Sequence, residues 1–349
     1  MGQESKATYR VAQWATGNIG THAMRAVINH PHMELVGLWV HSDDKIGKDA
    51  GELCGLEREV GVRATGRIED ILARKPDCVL YMPQSPDLDD LCRLLESGIN
   101  VVTSVADFHD PDGIEPGIRE RLEAACRQGK TSIHATGSSP GFISSTLPFA
   151  VTSLCRRVDC YTIDEFADMS SRNSPAMIFE GMGFGRAPGD INPHLIEHFR
   201  HSFAHPLKYT ARRLGLPIER IEASGEFAVA RNQTTIAAGV IEAGTVAAQR
   251  YTVEGFRDDK PVFRFRANWY CTRDIDREGW DLGDTGWRVQ VEGDPPLDIR
   301  IRFPCPDHDW PNTSPGLTAY PAVNAIPAVC AAQPGIRTSA EMKIFSILG

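Results

Sequence analysis

The chain has 349 residues with a hydrophobic content of 42% and a charged content of 24%, values typical of a globular protein that is long enough for two domains. Its net charge of −9, without runs of Lys or Arg, argues against nucleic acid and anionic membranes as partners. The start is polar and no apolar run approaches the roughly 20 residues of a membrane span, so we expect a cytoplasmic protein.

A buried strand, a glycine turn and a helix start follow one another within residues 10–20. Gly17 would let a pyrophosphate approach the backbone, and Gly20 would let the helix pack closely on its strand. Ala15 stands where the first glycine of the dinucleotide-binding fingerprint belongs, and such a turn also occurs for packing alone. A second strand over 34–40, at the spacing of a βαβ unit, favours dinucleotide binding. The predicted contacts are Thr16, Gly17, Asn18, Ile19 and Gly20.

Helices and strands continue to alternate as far as the turn that begins at Thr136. Helices are predicted near residues 49–54, 68–74, 88–97 and 116–127, and strands near residues 77–82, 100–104 and 131–135. This alternation predicts an α/β domain over residues 1–148, a Rossmann-type doubly wound parallel sheet. Ligands bind beyond the carboxyl ends of such strands, in the loops that begin at Ala15, His41, Pro83, Val105 and Thr136.

Beyond about residue 155 long strand-like runs dominate. They cover residues 158–168, 225–230, 234–241, 247–255, 262–271, 287–292 and 297–303, with one helix over 193–213. This pattern predicts an α+β domain with a largely antiparallel sheet over residues 149–315. A proline-rich connection over 303–315 then leads to a last helix over 319–331. The segment 316–349 is too short to fold alone, so we expect it to pack on the first domain.

Local sequences at residues 11–20, 101–111, 134–142 and 322–329 resemble a known superfamily. They read VAQWATGNIG, VVTSVADFHDP, HATGSSPGF and AVNAIPAV, and they resemble the dihydrodipicolinate-reductase-like superfamily, most closely its branch of 2,4-diaminopentanoate dehydrogenases and native amine dehydrogenases. The resemblance implies a dimeric NAD(P)H-dependent enzyme that aminates a ketone or aldehyde with ammonia and catalyses the reverse deamination. Dihydrodipicolinate reductases carry a His-His-x-x-Lys segment. Because this chain has no adjacent His pair, their activity is not expected.

The loop at 105–111 holds the candidate catalytic residues, Asp107 and His109. Ammonia addition needs a base because ammonium dominates at neutral pH, and a carboxylate beside the nicotinamide can serve. The resemblance places Asp107 where the amine dehydrogenase branch carries a glutamate, so its side chain is shorter by one methylene. In the alternative interpretation, Asp107 and Asp110-Pro111 only cap a turn and His109 is solvated.

The turn TGSSPGF follows the strand 131–135 and opens a helix, so its amides can line an anion or amide site, although a tight connecting turn needs the same residues. By resemblance, the expected contacts are Thr136, Gly137 and Ser138 for the cofactor and Ser139 and Phe142 for the substrate. Asn324 is expected on the nicotinamide carboxamide, unless it caps a helix.

The segment after the second strand decides between NAD(H) and NADP(H), because a carboxylate there binds the ribose and repels a 2′-phosphate. His41-Ser42 occupies this place, and the lysines that follow favour a phosphate, whereas Asp43-Asp44 opposes it. We therefore expect NADP(H), with NAD(H) as the alternative. The expected cofactor contacts here are His41, Ser42, Lys45 and Pro83.

The second domain is expected to supply the substrate walls, although most buried aromatics are only core. An apolar lining would favour small hydrophobic ketones or aldehydes. The predicted contacts are Asp168, Met169, Phe179 and Trp269.

The segment His194-Leu195-Ile196-Glu197-His198 fits a zinc-peptidase pattern. His201 and His205 extend the same helical face, which favours a polar stripe on a surface or at a subunit contact. The nine cysteines are scattered without a C-x-x-C pair, so we expect reduced packing residues and no metal site.

These patterns and the resemblance predict an amine dehydrogenase-like homodimer whose partners are a small carbonyl or amine substrate and ammonia. Two alternatives stay open. One is an NADPH-dependent imine or carbonyl reductase that does not need ammonia, and the other is a non-catalytic NADP-binding protein that has lost the family's glutamate.

Overall fold

The structure, a computed structural model, describes residues 8–189, 193–306 and 309–342. The strands are β1 (Tyr9–Trp14), β2 (Met33–Trp39), β3 (Cys78–Tyr81), β4 (Asn100–Thr103), β5 (Ser132–Ala135), β6 (Arg157–Asp168), β7 (Arg220–Val229), β8 (Thr234–Ile236), β9 (Gly239–Ile241), β10 (Val246–Arg257), β11 (Lys260–Tyr270), β12 (Gly286–Asp294), β13 (Leu297–Arg302) and β14 (Gly335–Arg337). The α-helices are α1 (Asn18–Ile28), α2 (Ala50–Leu53), α3 (Ile68–Arg74), α4 (Leu88–Glu96), α5 (Pro116–Gly129), α6 (Leu147–Thr152), α7 (Pro193–Arg213) and α8 (Trp310–Cys330).

The chain divides into two compact units, each with its own large sheet. Unit 1 consists of Met1–Thr146 and Asn312–Gly349, and unit 2 of Leu147–Pro311. Unit 1 carries a six-stranded parallel sheet in the order β14-β5-β4-β3-β1-β2. The predicted doubly wound parallel sheet is confirmed.

The first βαβ unit forms where the sequence predicted it. The buried residues of α1 are Gly20, Ala23, Met24 and Val27, a spacing that turns one helical face toward the sheet. Strands β3 and β5 are buried at every position, as expected for parallel strands that are covered on both faces.

The segment from Asn312 onward completes unit 1. Buried side chains of α8, among them Ala322 and Val329, lie in the same apolar cluster as the helix α1 residue Met24. The Ser132 hydroxyl donates to the Val329 carbonyl oxygen at 2.6 Å, and β14 pairs with β5 in parallel. Residues 335–337 therefore extend the sheet by one strand.

Two expectations about secondary structure were wrong, and one strand was not predicted. Helix α8 begins at Trp310 and runs through three prolines, because burial of its apolar face outweighs the few backbone hydrogen bonds that prolines remove. Strand β14 has three residues, too few to show a periodic pattern. The single strand predicted over 234–241 is a hairpin of β8 and β9, which forms a separate two-stranded sheet.

Unit 2 contains a six-stranded sheet in the order β13-β12-β6-β11-β10-β7, in which only β6 and β11 are parallel. This confirms the largely antiparallel sheet. Helix α7 packs against it through stacked rings. Phe199 lies on Tyr251 with ring centroids 4.7 Å apart, and Phe203 lies on Phe265 at 3.7 Å.

A buried ion pair joins β6 to β11 in unit 2. Asp164 is 3% exposed and accepts two hydrogen bonds from the Arg266 guanidinium, each 2.6 Å long. Asn268 also donates to Asp164, at 3.3 Å. A carboxylate this deeply buried needs a charged partner, because loss of one partner leaves an uncompensated charge away from water.

We expect Arg266→Met to destabilise the protein by about 3 kcal/mol, because Asp164 would lose its countercharge. The matched control is Arg157→Met, which removes the exposed pair with Asp159 and should cost less than about 1 kcal/mol. Urea unfolding followed by tryptophan fluorescence measures both. Equal losses in the two variants would contradict this assignment.

Candidate active site

The turn between β1 and α1 is held by one close backbone approach. Ala15 has a φ of +74°, a conformation that residues other than glycine rarely adopt. The buried Gln13 amide donates to the carbonyl oxygens of Trp14 at 3.2 Å and Ala15 at 3.0 Å. A Cβ at Gly20 would lie 2.3 Å from the Ala15 carbonyl oxygen and 2.9 Å from Gln13 Nε2. Gly20 is therefore required for packing, and the alanine at the fingerprint's first position is accommodated by local hydrogen bonds.

The exposed side of this turn has the shape that a pyrophosphate requires. A Cβ at Gly17 would have no neighbour within 4 Å, and Gly17 is the N-cap of α1. No side chain caps this helix end and its first turn contains no acidic residue. Free N–H groups and the positive end of the helix dipole therefore face an open surface, which fits the phosphates of a dinucleotide.

The cofactor contacts predicted after β2 do not all lie at the glycine turn between β1 and α1. Lys45 lies in a 3₁₀ turn, Asp43–Lys45, and its ammonium donates to Thr16 Oγ1 at 3.0 Å. The structure thus brings Lys45 to the glycine turn. His41 and Ser42 are exposed on the segment that leads to it, and Pro83 is half-buried just beyond β3.

The predicted turn after β5 is folded tightly on itself. Gly141 has a φ of +134°, and a Cβ there would lie 2.4 Å from the Gly137 nitrogen. The Phe142 N–H donates to the Gly137 carbonyl oxygen at 2.7 Å, where a π-helical segment, Phe142–Thr146, begins. Thr136 is buried and donates through its N–H to Thr103, the last residue of β4, at 2.9 Å.

Two serines of this turn have different environments. The Ser138 and Thr318 hydroxyls share a hydrogen bond of 2.7 Å, which ties the turn to α8. The Ser139 hydroxyl oxygen is buried and has no hydrogen-bond partner in the described part of the chain. Asn324 is half-buried in the interior of α8, so the alternative that it caps a helix start is wrong.

The two candidate catalytic residues lie in contrasting surroundings. Asp107 is half-exposed in a 3₁₀ turn, Ala106–Phe108, directly beyond β4. His109 is 4% exposed, so the alternative that it is solvated is wrong. Burial, with a further contribution from His134, lowers the pKa of His109 to about 3. His109 is therefore neutral at physiological pH and cannot act as a cationic acid.

The alternative interpretation, in which acidic residues of this loop cap a turn, holds for Asp110. Asp110 is buried and accepts a hydrogen bond from the Asp112 N–H at 3.2 Å, so it does stabilise a turn. Sequence reasoning missed His134, whose Nδ1 lies 2.8 Å from the Arg337 carbonyl oxygen and whose pKa is lowered by burial. The local sequence does not predict this role, because a histidine within a strand does not indicate that a second imidazole lies nearby in the fold.

The residues predicted to contact substrate from unit 2 lie in two places. Met169, Phe179 and Trp269 belong to one apolar cluster of that unit, in which Trp269 also packs on Phe199 with ring centroids 5.2 Å apart. Asp168 lines a cavity of about 340 Å³. Charged side chains that sequence reasoning did not identify also line it, namely Arg273, Asp284 and Arg302.

The zinc-peptidase pattern lies on an exposed face of α7, where Glu197 accepts a hydrogen bond from Arg200 at 2.7 Å. Within the described ranges, no three His, Cys, Asp or Glu side chains are grouped so that they could hold a metal ion. A search of the same residues found no helix with the length and apolar character needed to cross a membrane.

Residues 142–348 match the family model of the 2,4-diaminopentanoate dehydrogenase C-terminal domain, more than half of the chain. The chain belongs to the 2,4-diaminopentanoate dehydrogenase family. Residues 14–110 match the model of the dihydrodipicolinate reductase N-terminus. The family resemblance that the sequence showed is confirmed.

Full-length relatives agree with this membership. An amine dehydrogenase of Streptomyces virginiae is 31% identical, with 96% of both chains covered. The 2,4-diaminopentanoate dehydrogenase of Acetoanaerobium sticklandii is 23% identical, with 80% of this chain and 77% of the relative covered. The solved amine dehydrogenase of Mycobacterium smegmatis has the same fold, with a TM-score of 0.69 over 97% of both chains at 19% identity. This 2,4-diaminopentanoate dehydrogenase family member is an NAD(P)-dependent oxidoreductase that acts on C–N bonds.

The dinucleotide site predicts a selective effect for Gly17→Val. The side chain would project into open space, so the protein should fold, yet it would occupy the place where a pyrophosphate approaches. We expect the affinity for NADPH, measured by calorimetry, to fall about 10-fold or more. The matched control is Gly189→Val in unit 2, which also has no neighbour within 4 Å. If a folded Gly17→Val variant bound NADPH with undiminished affinity, the cofactor would have to bind elsewhere.

The burial of His109 predicts a pH effect on stability. The unfolded chain binds a proton near pH 6.5 and the folded chain only near pH 3, so stability is present above pH 6.5 and is lost as the pH falls below it. Between pH 7 and pH 5 this linkage amounts to about 2 kcal/mol. We expect His109→Gln to flatten the pH dependence of the unfolding free energy in that range. The control His32→Gln alters an exposed histidine and should leave the slope unchanged.

Proposed function

We propose that the protein is an NADP(H)-dependent amine dehydrogenase that forms an amine from a small ketone or aldehyde and ammonia. The observation that carries this proposal is the position of Asp107, a half-exposed carboxylate just beyond the carboxyl end of β4. Parallel strands β1, β4 and β5 end at the same edge of the sheet, so Asp107 shares that edge with both predicted cofactor turns. We also propose that it acts as a cytoplasmic homodimer.

The chain's own residues would hold the cofactor in the following way. Thr16, Gly17, Asn18, Ile19 and Gly20 would bind the pyrophosphate at the start of α1. Thr136, Gly137, Ser138 and Asn324 would line the nicotinamide end, and Pro83 the intervening wall. When bound, NADPH supplies a hydride to the carbon that becomes the amine carbon.

Asp107 would manage the protons of the reaction. Its carboxylate would take a proton from the nitrogen as ammonia adds to the carbonyl carbon and would pass it to the carbonyl oxygen, which gives a carbinolamine. It would then move a second nitrogen proton to the hydroxyl group, which leaves as water and gives the imine. His109, two residues away, is uncharged near pH 7 and therefore has no imidazolium proton to donate in this reaction. Substrate contacts are proposed for Ser139, Phe142, Asp168, Met169, Phe179 and Trp269.

The preference for NADP(H) over NAD(H) is also a proposal. It is supported by the exposed His41-Ser42 segment after β2, where an NAD(H)-specific protein would carry a carboxylate. The neighbouring Asp43 and Asp44 are exposed and accept no hydrogen bond from the described residues of the glycine turn, whereas Lys45 donates to it.

The length of Asp107 favours a second candidate, an imine or carbonyl reductase that does not require ammonia. Aspartate is shorter than the family's glutamate by roughly 1.5 Å of bond length. A misplacement of about 1 Å can cost on the order of 100-fold in rate, so ammonia activation is the step most exposed to this substitution. A rate independent of ammonium would distinguish this reductase from the amine dehydrogenase.

We expect Asp107→Asn to abolish most of the ammonium-dependent NADPH oxidation with a screened ketone or aldehyde, because an amide keeps the shape but cannot take the proton. NADPH affinity should stay unchanged. Asp107→Glu should retain or raise the rate. The matched control is Asp112→Asn in the same loop, which removes an exposed ion pair with Arg119. A wild-type rate from Asp107→Asn at saturating ammonium would exclude Asp107 from the reaction.

A further inference from the structure

We propose that Cys78 and Cys330 form a reversible disulfide that locks the end of α8 onto β3. Cys78 is the first residue of β3, and Cys330 is the last residue of α8. The pair would be a redox-sensitive modification site inside unit 1. This inference does not depend on the proposed function, because the bond would form in any folded copy of unit 1.

The fold brings the two thiols together from distant parts of the chain. Cys330 Sγ lies 3.7 Å from the carbonyl oxygen of Asp77, the residue before Cys78, although Asp77 and Cys330 are 253 positions apart. The Cys78 and Cys330 thiols also share a hydrogen bond. A disulfide forms only between cysteines that the backbone already holds close together, and this pair meets that condition.

A chain of hydrogen bonds fixes the end of α8 at this place. The Ser132 hydroxyl donates to the carbonyl oxygen of Val329, the residue before Cys330, at 2.6 Å. The Ser132 N–H donates to Asn100 Oδ1 at 2.9 Å, and Asn100 Nδ2 donates to the Asp77 carbonyl oxygen at 3.0 Å. Strands β5, β4 and β3 are thereby linked in turn to the helix end, so the two cysteines are held close by the folded unit.

The two thiols differ in exposure, which assigns their roles. Cys78 is fully buried, whereas Cys330 is half-buried. Burial, with a further contribution from the Cys330 thiol, raises the pKa of Cys78 well above its ordinary value, so Cys78 stays protonated near pH 7. Of the two, Cys330 can therefore meet an oxidant from solvent first, and Cys78 would act as the resolving thiol.

The oxidant in this proposal is a low-molecular-weight disulfide. The Cys330 thiolate attacks one sulfur of that molecule, so a mixed disulfide forms, the small S–S bond breaks and one small thiolate leaves. Cys78 then loses its proton and its sulfur attacks the Cys330 sulfur, which forms the protein disulfide and releases a second small thiolate. Two electrons and the two cysteine protons thus pass to the small disulfide, which becomes two thiols.

The bond would close the long loop between the two parts of unit 1. A cross-link removes conformations from the unfolded chain, and the effect grows with the length of the closed loop. It would also hold α8 beside the turn after β5, to which Thr318 is already joined through Ser138. We expect the oxidised chain to unfold at a temperature higher by about 5 °C or more than the reduced chain.

The test treats the folded full chain with excess oxidised glutathione at about pH 8, where thiolates are more abundant. Digestion with trypsin and an aspartate-specific protease separates Cys78 from Cys92 and Cys330 from Cys305. Mass spectrometry without reductant should then find the Cys78 peptide joined to the Cys330 peptide. Dithiothreitol should separate the two peptides and return the unfolding temperature to its original value.

Three variants separate the two steps of the reaction. Cys330→Ser should form no cross-link and show no rise in unfolding temperature. Cys78→Ser should stop at the first step and keep one glutathione on Cys330. The matched control is Cys155→Ser, which removes a half-buried thiol that lies 3.6 Å from the Pro295 carbonyl oxygen and should change neither result.

Three results would overturn the inference. They are a wild-type chain whose Cys330 keeps glutathione without joining Cys78, a chain in which neither thiol reacts, and a cross-linked pair without a rise in unfolding temperature. Circular dichroism of the reduced chains checks that each variant is folded. The wild-type peptide map decides the question even if Cys78→Ser does not fold.

Discussion

The candidate site depends on the close approach of α1 to the turn that precedes it. Gly20 lies directly against the Ala15 carbonyl, where a Cβ would be only 2.3 Å from the oxygen. This contact fixes where α1 begins, and thereby turns Gly17 toward solvent and sets Thr16 within reach of Lys45. The buried Gln13 amide stabilises the turn by donating a hydrogen bond to the Ala15 carbonyl oxygen. The turn can therefore form with alanine at the first position of the fingerprint.

Unit 1 depends equally on residues far away in sequence. The Ser132 hydroxyl binds the Val329 carbonyl, and the Ser138 hydroxyl shares a hydrogen bond with Thr318. Both contacts link the strand or turn of β5 to α8. The two predicted cofactor turns are therefore stabilised in different ways, the first by its own neighbours and the second by a helix that the chain forms much later.

Sequence reasoning predicted the parts of the molecule that local patterns determine. The β1 turn, α1 and the position of Asp107 just beyond β4 follow from residues that are near one another in the chain. It failed where contacts between distant segments of the chain determine the structure. The burial of His109 depends on packing with distant elements, the Lys45 contact spans 29 residues, and the charged side chains around Asp168 come from separate strands and loops. Helix α8 was predicted to begin only at residue 319 because Pro315 favours a connecting segment, whereas the helix begins at Trp310.

The discontinuity of unit 1 has a consequence for the order of folding. Strand β14 can join β5 only after the whole of unit 2 has been synthesised, since residues 147–311 separate the two parts of unit 1. Contacts of such long sequence separation form late, because their loop must close first. On the ribosome, a nascent chain would therefore expose the β5 edge and the apolar surface for α8 until residues 312–337 have been synthesised, and an unpaired edge of this kind is prone to aggregation.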